Sequence, residues 1–355
     1  MGDPELYTIV MAGGQGTRFW PLSRRNLPKQ ALKIGGRRTL LEETLSRARA
    51  FCPPERTLIV TAREHAPLVR RLARGIPRSN VLVEPRGRNT APCIALAAAW
   101  IRARGQDPVT VVLPADHRIG NPGQFLASLR RAVSLARSRD VLVTLGVRPR
   151  FPETGYGYIE LGEEIRRPRG WLVRKFHEKP DPATAAKYCR SGRYLWNSGI
   201  FVWRTSVFWE ELSRHAPGVA GRLERVWDSA RPARRIEGAY RRLPAVSVDH
   251  AVLERTRRAA VVAADFSWSD VGSWAAMPDV WGTDRRGNAS RGRVLFVDSS
   301  DNVVFAGRRL VALLGVERLV VVDAGDAILV CRREKAQEVR KVVAGLRAKG
   351  LGRFS

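Results

Sequence analysis

Along the first half of the chain, apolar residues fall into short β-branched runs separated by longer stretches of helical period. The runs at residues 7–10, 57–61, 81–83, 109–113 and 141–145 predict strands. Between them lie three helical patterns. One opens at Thr39-Leu40-Leu41-Glu42, a capping box in which Thr and Glu satisfy each other's orphan amides. The second is alanine-rich and runs over 90–104. The third covers 123–137. Alternating β and α segments predict a doubly wound, mostly parallel sheet with helices on both faces. Ligands of such sheets bind beyond the carboxyl ends of the strands, so chemistry is expected just after strands.

The second half is more mixed. Residues 156–161, 171–179 and 195–204 read as strands, and Asp181-Pro182 as an N-cap with proline at N1. Helical stretches follow as far as Glu254. A polar, Gly-containing segment at 283–288 reads as a linker. Short strands at 294–297, 302–305, 310–314, 319–322 and 327–331 and a helix over 334–348 then close the chain. Their even spacing predicts a small β appendage, a few coils of a β-helix. The expected organisation is a domain at 1–282 and a smaller one at 288–355.

The length of 355 residues suits this division. Charge is the unusual number. Lysine and arginine total 62 against 34 acidic residues, a formal +28, and only eight of the basic residues are lysines. Such an excess invites a nucleic-acid reading. Yet the arginines come as scattered doublets, Arg70-Arg71, Arg130-Arg131, Arg166-Arg167, Arg234-Arg235, Arg241-Arg242 and Arg257-Arg258, with no basic tail and no aromatic-interleaved stripe. They read as solvated faces, and no nucleic-acid partner is expected. The cysteines Cys52, Cys93, Cys189 and Cys331 include no CxxC pair, and the five histidines no HxH or HExxH. A zinc site or disulfide scaffold is therefore not expected. No apolar run approaches the roughly 18 residues of a membrane span, and the start shows no signal peptide. A cytoplasmic protein without membrane attachment is expected.

The strongest chemical signal follows the first strand: Ala12-Gly13-Gly14-Gln15-Gly16-Thr17-Arg18, then Pro28-Lys29. Glycines there let backbone amides approach a phosphate chain, while Arg18 and Lys29 add positive charge. No Gly-Lys-Ser/Thr follows, and Phe19 stands where a dinucleotide fingerprint needs Gly or Ala. After the third strand comes Glu84-Pro85-Arg86-Gly87-Arg88-Asn89-Thr90-Ala91-Pro92. A helix start with Thr90 as N-cap explains Thr90 and Pro92 but leaves Asn89, whose amide suits a base edge. Asp116 follows the fourth strand, where a carboxylate can hold Mg²⁺ beside phosphates. Further on stand Gly157, the neighbours Glu178 and Lys179, Asn197 and Asp249. Adjacent strand residues face opposite ways, so spacing does not require a Glu178–Lys179 pair. Asp249 reads as a first-turn helix acid.

These segments together resemble the nucleotide-sugar pyrophosphorylases, specifically the mannose-1-phosphate guanylyltransferases of the short bacterial type. The likeness runs from Ile9 to about Leu346. It implies a Rossmann-like, GT-A-like nucleotidyltransferase fold: a doubly wound mixed sheet, a small C-terminal β-helix-like domain and a terminal helix. It implies transfer of GMP from GTP to mannose 1-phosphate. Arg18, Lys29 and Asp116 are the catalytic residues it suggests. Ala12, Gly13, Gly14, Gly16, Glu84, Asn89 and Thr90 would bind the nucleotide, and Gly157, Glu178, Lys179 and Asn197 the sugar phosphate. Asp116 and Asp270, the latter from Trp268-Ser269-Asp270-Val271-Gly272, would hold Mg²⁺. Asp249 stays either structural or a support to the residues that touch the sugar, and His250 replaces the family's usual Tyr. The resemblance also implies a homodimer through the C-terminal strands. Bifunctional relatives continue into an isomerase domain; with the chain ending at Ser355, isomerase activity is not expected.

The chemistry needs no protein nucleophile. A sugar 1-phosphate is already anionic, with a second pKa of about 6, and charge neutralisation with positioning does the rest. Glucose or fucose 1-phosphate as acceptor, and a non-catalytic regulatory relative of the same fold, are the alternatives.

Overall fold

The computed structural model describes residues 6–355. Nine strands form one mixed sheet: β1 (Leu6–Ala12), β2 (Thr57–Ala62), β3 (Val81–Glu84), β4 (Val109–Pro114), β5 (Leu142–Val147), β6 (Gly157–Ile165), β7 (Gly170–Glu178), β8 (Tyr194–Arg204) and β9 (Ala259–Ala264). Their order is β3-β2-β1-β4-β8-β5-β9-β7-β6. The β3-β2-β1-β4 half is parallel, as the alternating pattern predicts. β8 runs antiparallel to β4 and β5, and β9 returns parallel to β5. β1, β2, β4 and β5 are buried almost throughout, with helices covering both faces.

The helices follow their signals. Thr39 and Glu42 exchange the capping-box bonds, Thr39 N to Glu42 Oε2 at 2.8 Å and Glu42 N to Thr39 Oγ1 at 3.2 Å. Asp181 caps the helix Pro182–Ser191, accepting from Ala183 N and Thr184 N at 3.0 Å. One expectation is corrected. The cap of the helix Thr90–Arg102 is Asn89, whose Oδ1 accepts from Thr90 N at 2.8 Å. The Thr90 hydroxyl accepts instead from Val248 N at 2.8 Å. Asn89 holds this role at φ 68° and ψ −171°, a strained backbone outside the left-handed helical region.

Beyond the sheet, three strands stack in parallel at Ala289–Arg291, Val303–Phe305 and Leu319–Asp323, and a second pair at Val294–Val297 and Val311–Leu314. Parallel stacking at near-constant intervals is the β-helix geometry. Its turns carry a buried asparagine ladder. Asn302 N donates to Asn288 Oδ1 at 3.0 Å, and Leu319 N donates to Asn302 Oδ1 at 2.9 Å. A 3₁₀ turn Arg333–Val339 and the helix Arg340–Ala348 follow.

The chain forms two compact units. The first comprises residues up to Gly13, Thr44–Ala115 and Ile119–Trp268. The second comprises Gly14–Glu43, Asp116–Arg118 and Ser269–Ser355. The glycine-rich loop thus belongs with the C-terminal segment. Trp20 Nε1 donates to the Phe354 carbonyl at 2.6 Å, Trp274 Nε1 to the Trp20 carbonyl at 3.1 Å, and Arg24 pairs with Asp326 at 2.7 Å. Phe19, Trp20, Trp274 and Val303 share one buried core. Among the described residues no helix is long and apolar enough to cross a membrane. The six arginine doublets named above lie at exposed positions, apart from half-buried Arg131 and Arg258.

Candidate active site

In the second unit the site residues converge on Lys29. Its side chain is 8% exposed. Its Nζ donates to Asp116 Oδ2 at 2.7 Å and to the Asp270 carbonyl at 2.6 Å. Close packing alone would raise the Asp116 carboxyl, but the Lys29 ammonium and then His117 outweigh it, holding it below the ordinary carboxylate value. Gly16 lies against this lysine with φ +67°, and a Cβ on it would stand 2.2 Å from Lys29 Cβ. Only glycine meets both demands. Ser23 Oγ anchors the turn through the Gly16 carbonyl at 2.7 Å. Gly14 is open, with nothing within 4 Å of where a Cβ would sit. Arg18 is half-buried and has no hydrogen bond or ion pair among the described residues. A half-buried guanidinium without a partner, beside an open glycine loop, suits an anionic ligand.

The Asp270 segment is strained. Val271 is fully buried at φ +49°, a region a β-branched residue rarely visits. At Gly272 a Cβ would sit 2.9 Å from Asp270 Oδ2, so glycine keeps the space beside that carboxylate open. Two carboxylate-bearing residues tied to one lysine, with room beside one of them, fit a hard oxygen-liganded cation that completes its shell from phosphates. Among the described residues no group of three or more His, Cys, Asp or Glu could hold a metal, so a closed all-protein cage is not built.

In the first unit, Glu84 ends β3. It is 2% exposed, and burial raises its carboxyl to about 7, against a lowering by Tyr240, whose hydroxyl donates to Glu84 Oε1 at 3.1 Å. A Cβ on Gly13 would stand 3.2 Å from Glu84 Oε2. Ala12 closes β1, its carbonyl accepting from Thr61 Oγ1 at 2.9 Å. The segment around Asn89 and Thr90 is laced to residues 246–248. Ala91 N donates to the Val246 carbonyl and Val246 N to the Arg88 carbonyl, at 3.1 and 3.2 Å. Asp249 follows directly.

The remaining predicted residues also come together. Gly157 faces Glu178 across β6 and β7, and a Cβ on it would lie 2.7 Å from Glu178 Oε2. Asn197 lies within β8, its Nδ2 donating to Asp249 Oδ1 at 2.7 Å. Lys179 donates to Glu178 Oε1, a pairing that strand spacing does not require. The strand ends at Glu178, and Lys179 adopts φ +46°, which turns it toward its neighbour. Sequence reasoning missed Tyr240 and Thr144, whose partners are remote in the chain, and the bond between Asn197 and Asp249.

The nucleotidyl transferase family matches residues 7–285, and the MannoseP isomerase/GMP-like beta-helix domain matches 292–346. The xanthan biosynthesis protein XanB of Xanthomonas campestris pv. campestris is 40% identical over 98% of this chain and 74% of its own length. Mannose-1-phosphate guanylyltransferase of Escherichia coli K12 is 39% identical over 99% of this chain and 75% of its own. Among solved structures, one described as mannose-1-phosphate geranyltransferase from Thermus thermophilus superposes with a TM-score of 0.89. It is 39% identical, covering 97% of this chain and 99% of that one. Mannose-6-phosphate isomerase from Helicobacter pylori gives 0.61 at 27% identity, covering 75% and 99%.

Proposed function

Since this chain belongs to the nucleotidyl transferase family and carries the associated β-helix domain, we propose that it transfers GMP from GTP to α-D-mannose 1-phosphate, giving GDP-mannose and pyrophosphate. Support comes from relatives named mannose-1-phosphate guanylyltransferase that match 98–99% of this chain and 74–75% of their own length. The single observation that carries the catalytic assignment is the buried Lys29, held between the Asp116 carboxylate and the Asp270 carbonyl under Gly16.

In this reading the sugar-phosphate oxygen attacks the α-phosphorus of GTP in line. The new P–O bond forms as the α–β P–O bond breaks, and its electron pair leaves with pyrophosphate. The backbone at Gly13, Gly14 and Gly16 cradles the triphosphate. Arg18, without a hydrogen-bond or ion-pair partner among the described residues, takes the charge that builds on the transferring phosphoryl group. Lys29 neutralises pyrophosphate and orients Asp116. Ala12, Glu84, Asn89 and Thr90 flank the base. Gly157, Glu178 and Asn197 receive the sugar hydroxyls, and Lys179, exposed at the strand end, receives the sugar phosphate. Asp116 and Asp270 are the residues that would hold Mg²⁺, which when bound draws charge from the phosphates. The four cysteines are free, in keeping with the cytoplasm as its compartment. Exposed Leu314 and Val330 on the C-terminal strands, with Leu310 just before one of them, suit the homodimer interface.

A nucleotide-by-sugar panel with pyrophosphate release as readout tests the reading. GTP with mannose 1-phosphate in Mg²⁺ is expected to turn over fastest. Preference for glucose or fucose 1-phosphate would reassign the acceptor. No turnover with any pair, together with tight RNA binding at physiological salt, would overturn the enzyme reading in favour of a regulatory relative.

A further inference from the structure

Asn197 sits in a hydrogen-bond network that leaves its side chain one orientation. Its Oδ1 accepts from Thr144 Oγ1 at 3.1 Å and from Gly199 N at 3.2 Å, which uses both acceptor positions. Its Nδ2 gives one hydrogen to Asp249 Oδ1 at 2.7 Å. One N–H remains. Asp249 is only partly buried, and its Oδ2 has no hydrogen-bonding partner among the other described residues. The backbone there, Asp249–Leu253, is a π-helix, a local widening that recurs at functional sites.

The electrostatics point the same way. Burial, and then the Glu178 carboxylate from the neighbouring strand, raise Asp249 to about 6. Asn197 opposes this, and Glu254 on its own element adds to it. Glu178 is paired with Lys179, and Glu254 with His250. Glu178, beside Gly157, and Asp249, bonded to Asn197, therefore offer acceptor oxygens next to a single fixed donor, and a polyol supplies the hydroxyl donors and the acceptor that such a set lacks.

We propose that Asp249 is a sugar-recognition residue: its Oδ1 locks the Asn197 carboxamide, and its Oδ2, together with Glu178, accepts from hydroxyls of the bound sugar. This extends the reading above, which makes the acceptor a sugar 1-phosphate, and rests on it.

Steady-state kinetics of the full chain, Asp249→Asn and Asp249→Ala with GTP, mannose 1-phosphate and its mono-deoxy analogues test it. Both variants are expected to raise KM for mannose 1-phosphate by roughly tenfold or more while KM for GTP stays within about twofold. For the analogue lacking the recognised hydroxyl, wild type and Asp249→Asn should converge. A matched rise in both KM values, equal losses across all analogues, or no change would overturn the proposal. If the wild type turns over no sugar phosphate, the functional reading fails separately. Calorimetric titration of mannose 1-phosphate into wild type and Asp249→Asn then still decides: tighter binding by the wild type supports a role for Asp249, and equal affinities overturn it.

Discussion

Gly16 and Lys29 are packed so closely that a Cβ on the glycine would stand 2.2 Å from that of the lysine, and Gly16 is at φ +67°. Gly16→Ala must therefore displace Lys29 or abandon its own conformation, which costs about 1–2 kcal/mol on backbone grounds alone. Pyrophosphate release is expected to fall by roughly a hundredfold or more, with a measurable drop in melting temperature. Gly14→Ala, with open space around it, should keep the wild-type melting temperature. A Gly16→Ala enzyme as active as wild type would remove the packing argument.

Lys29 and Asp116 depend on each other. Asp116→Ala leaves a nearly buried ammonium with the Asp270 carbonyl as its remaining acceptor among the described residues, a loss of roughly 3 kcal/mol. Lys29→Met removes the charge as well as the bond. Both should abolish turnover, but Asp116→Ala should melt lower than the double variant Asp116→Ala/Lys29→Met, because the second change removes the stranded charge. Equal melting temperatures would contradict the burial of that charge.

Arg18 makes no hydrogen bond or ion pair among the described residues, so its removal tests function without touching the fold. Arg18→Gln is expected to leave the melting temperature within about a degree of wild type and to lower kcat by roughly a thousandfold. A loss of stability comparable with the loss of activity would show that it is structural.

Glu84 makes stability depend on pH. Its carboxyl ordinarily titrates at 4.5 but is raised to about 7 in the fold. Below about 4.5 both folded and unfolded chains hold the proton. Between these values only the folded chain keeps it, so this contribution to stability is lost as pH rises and is gone above about 7, a change of at most roughly 3 kcal/mol. Thermal melts of wild type and Glu84→Gln across this window should therefore diverge, with the variant gaining on the wild type as pH rises. Parallel curves would mean that Glu84 titrates alike in the folded and unfolded chain and is not raised by burial.

The β-helix ladder is testable by itself. Asn302 is fully buried and bonds to Asn288, the Val316 carbonyl and Leu319 N. Asn302→Ala strands these groups and should cost roughly 2–4 kcal/mol, seen as a lower melting transition. An unchanged melt would show that water satisfies them.

How much of the site could be read from the sequence varies by segment. The loop from Gly13 to Lys29 and the acids Asp116 and Asp270 stand out because phosphate chemistry demands small residues and charge at strand ends. Asn89 was legible as unusual but not as a cap, since the capping bond depends on a positive φ that composition does not reveal. Tyr240 was invisible: its phenol meets Glu84 from a position 156 residues away.

Local chemistry determined the strand and helix order, the capping box of Thr39 and Glu42 and the phosphate-loop glycines, because these depend on residues within a few positions of one another. Tertiary structure alone decided that the glycine loop packs with the C-terminal segment through Trp20, Trp274 and Phe354. It alone turned Lys179 onto Glu178 and joined Thr144, Asn197 and Asp249 into one network. Those arrangements come from long-range packing and backbone dihedrals, where the energy of each contact depends on a partner that no local window contains.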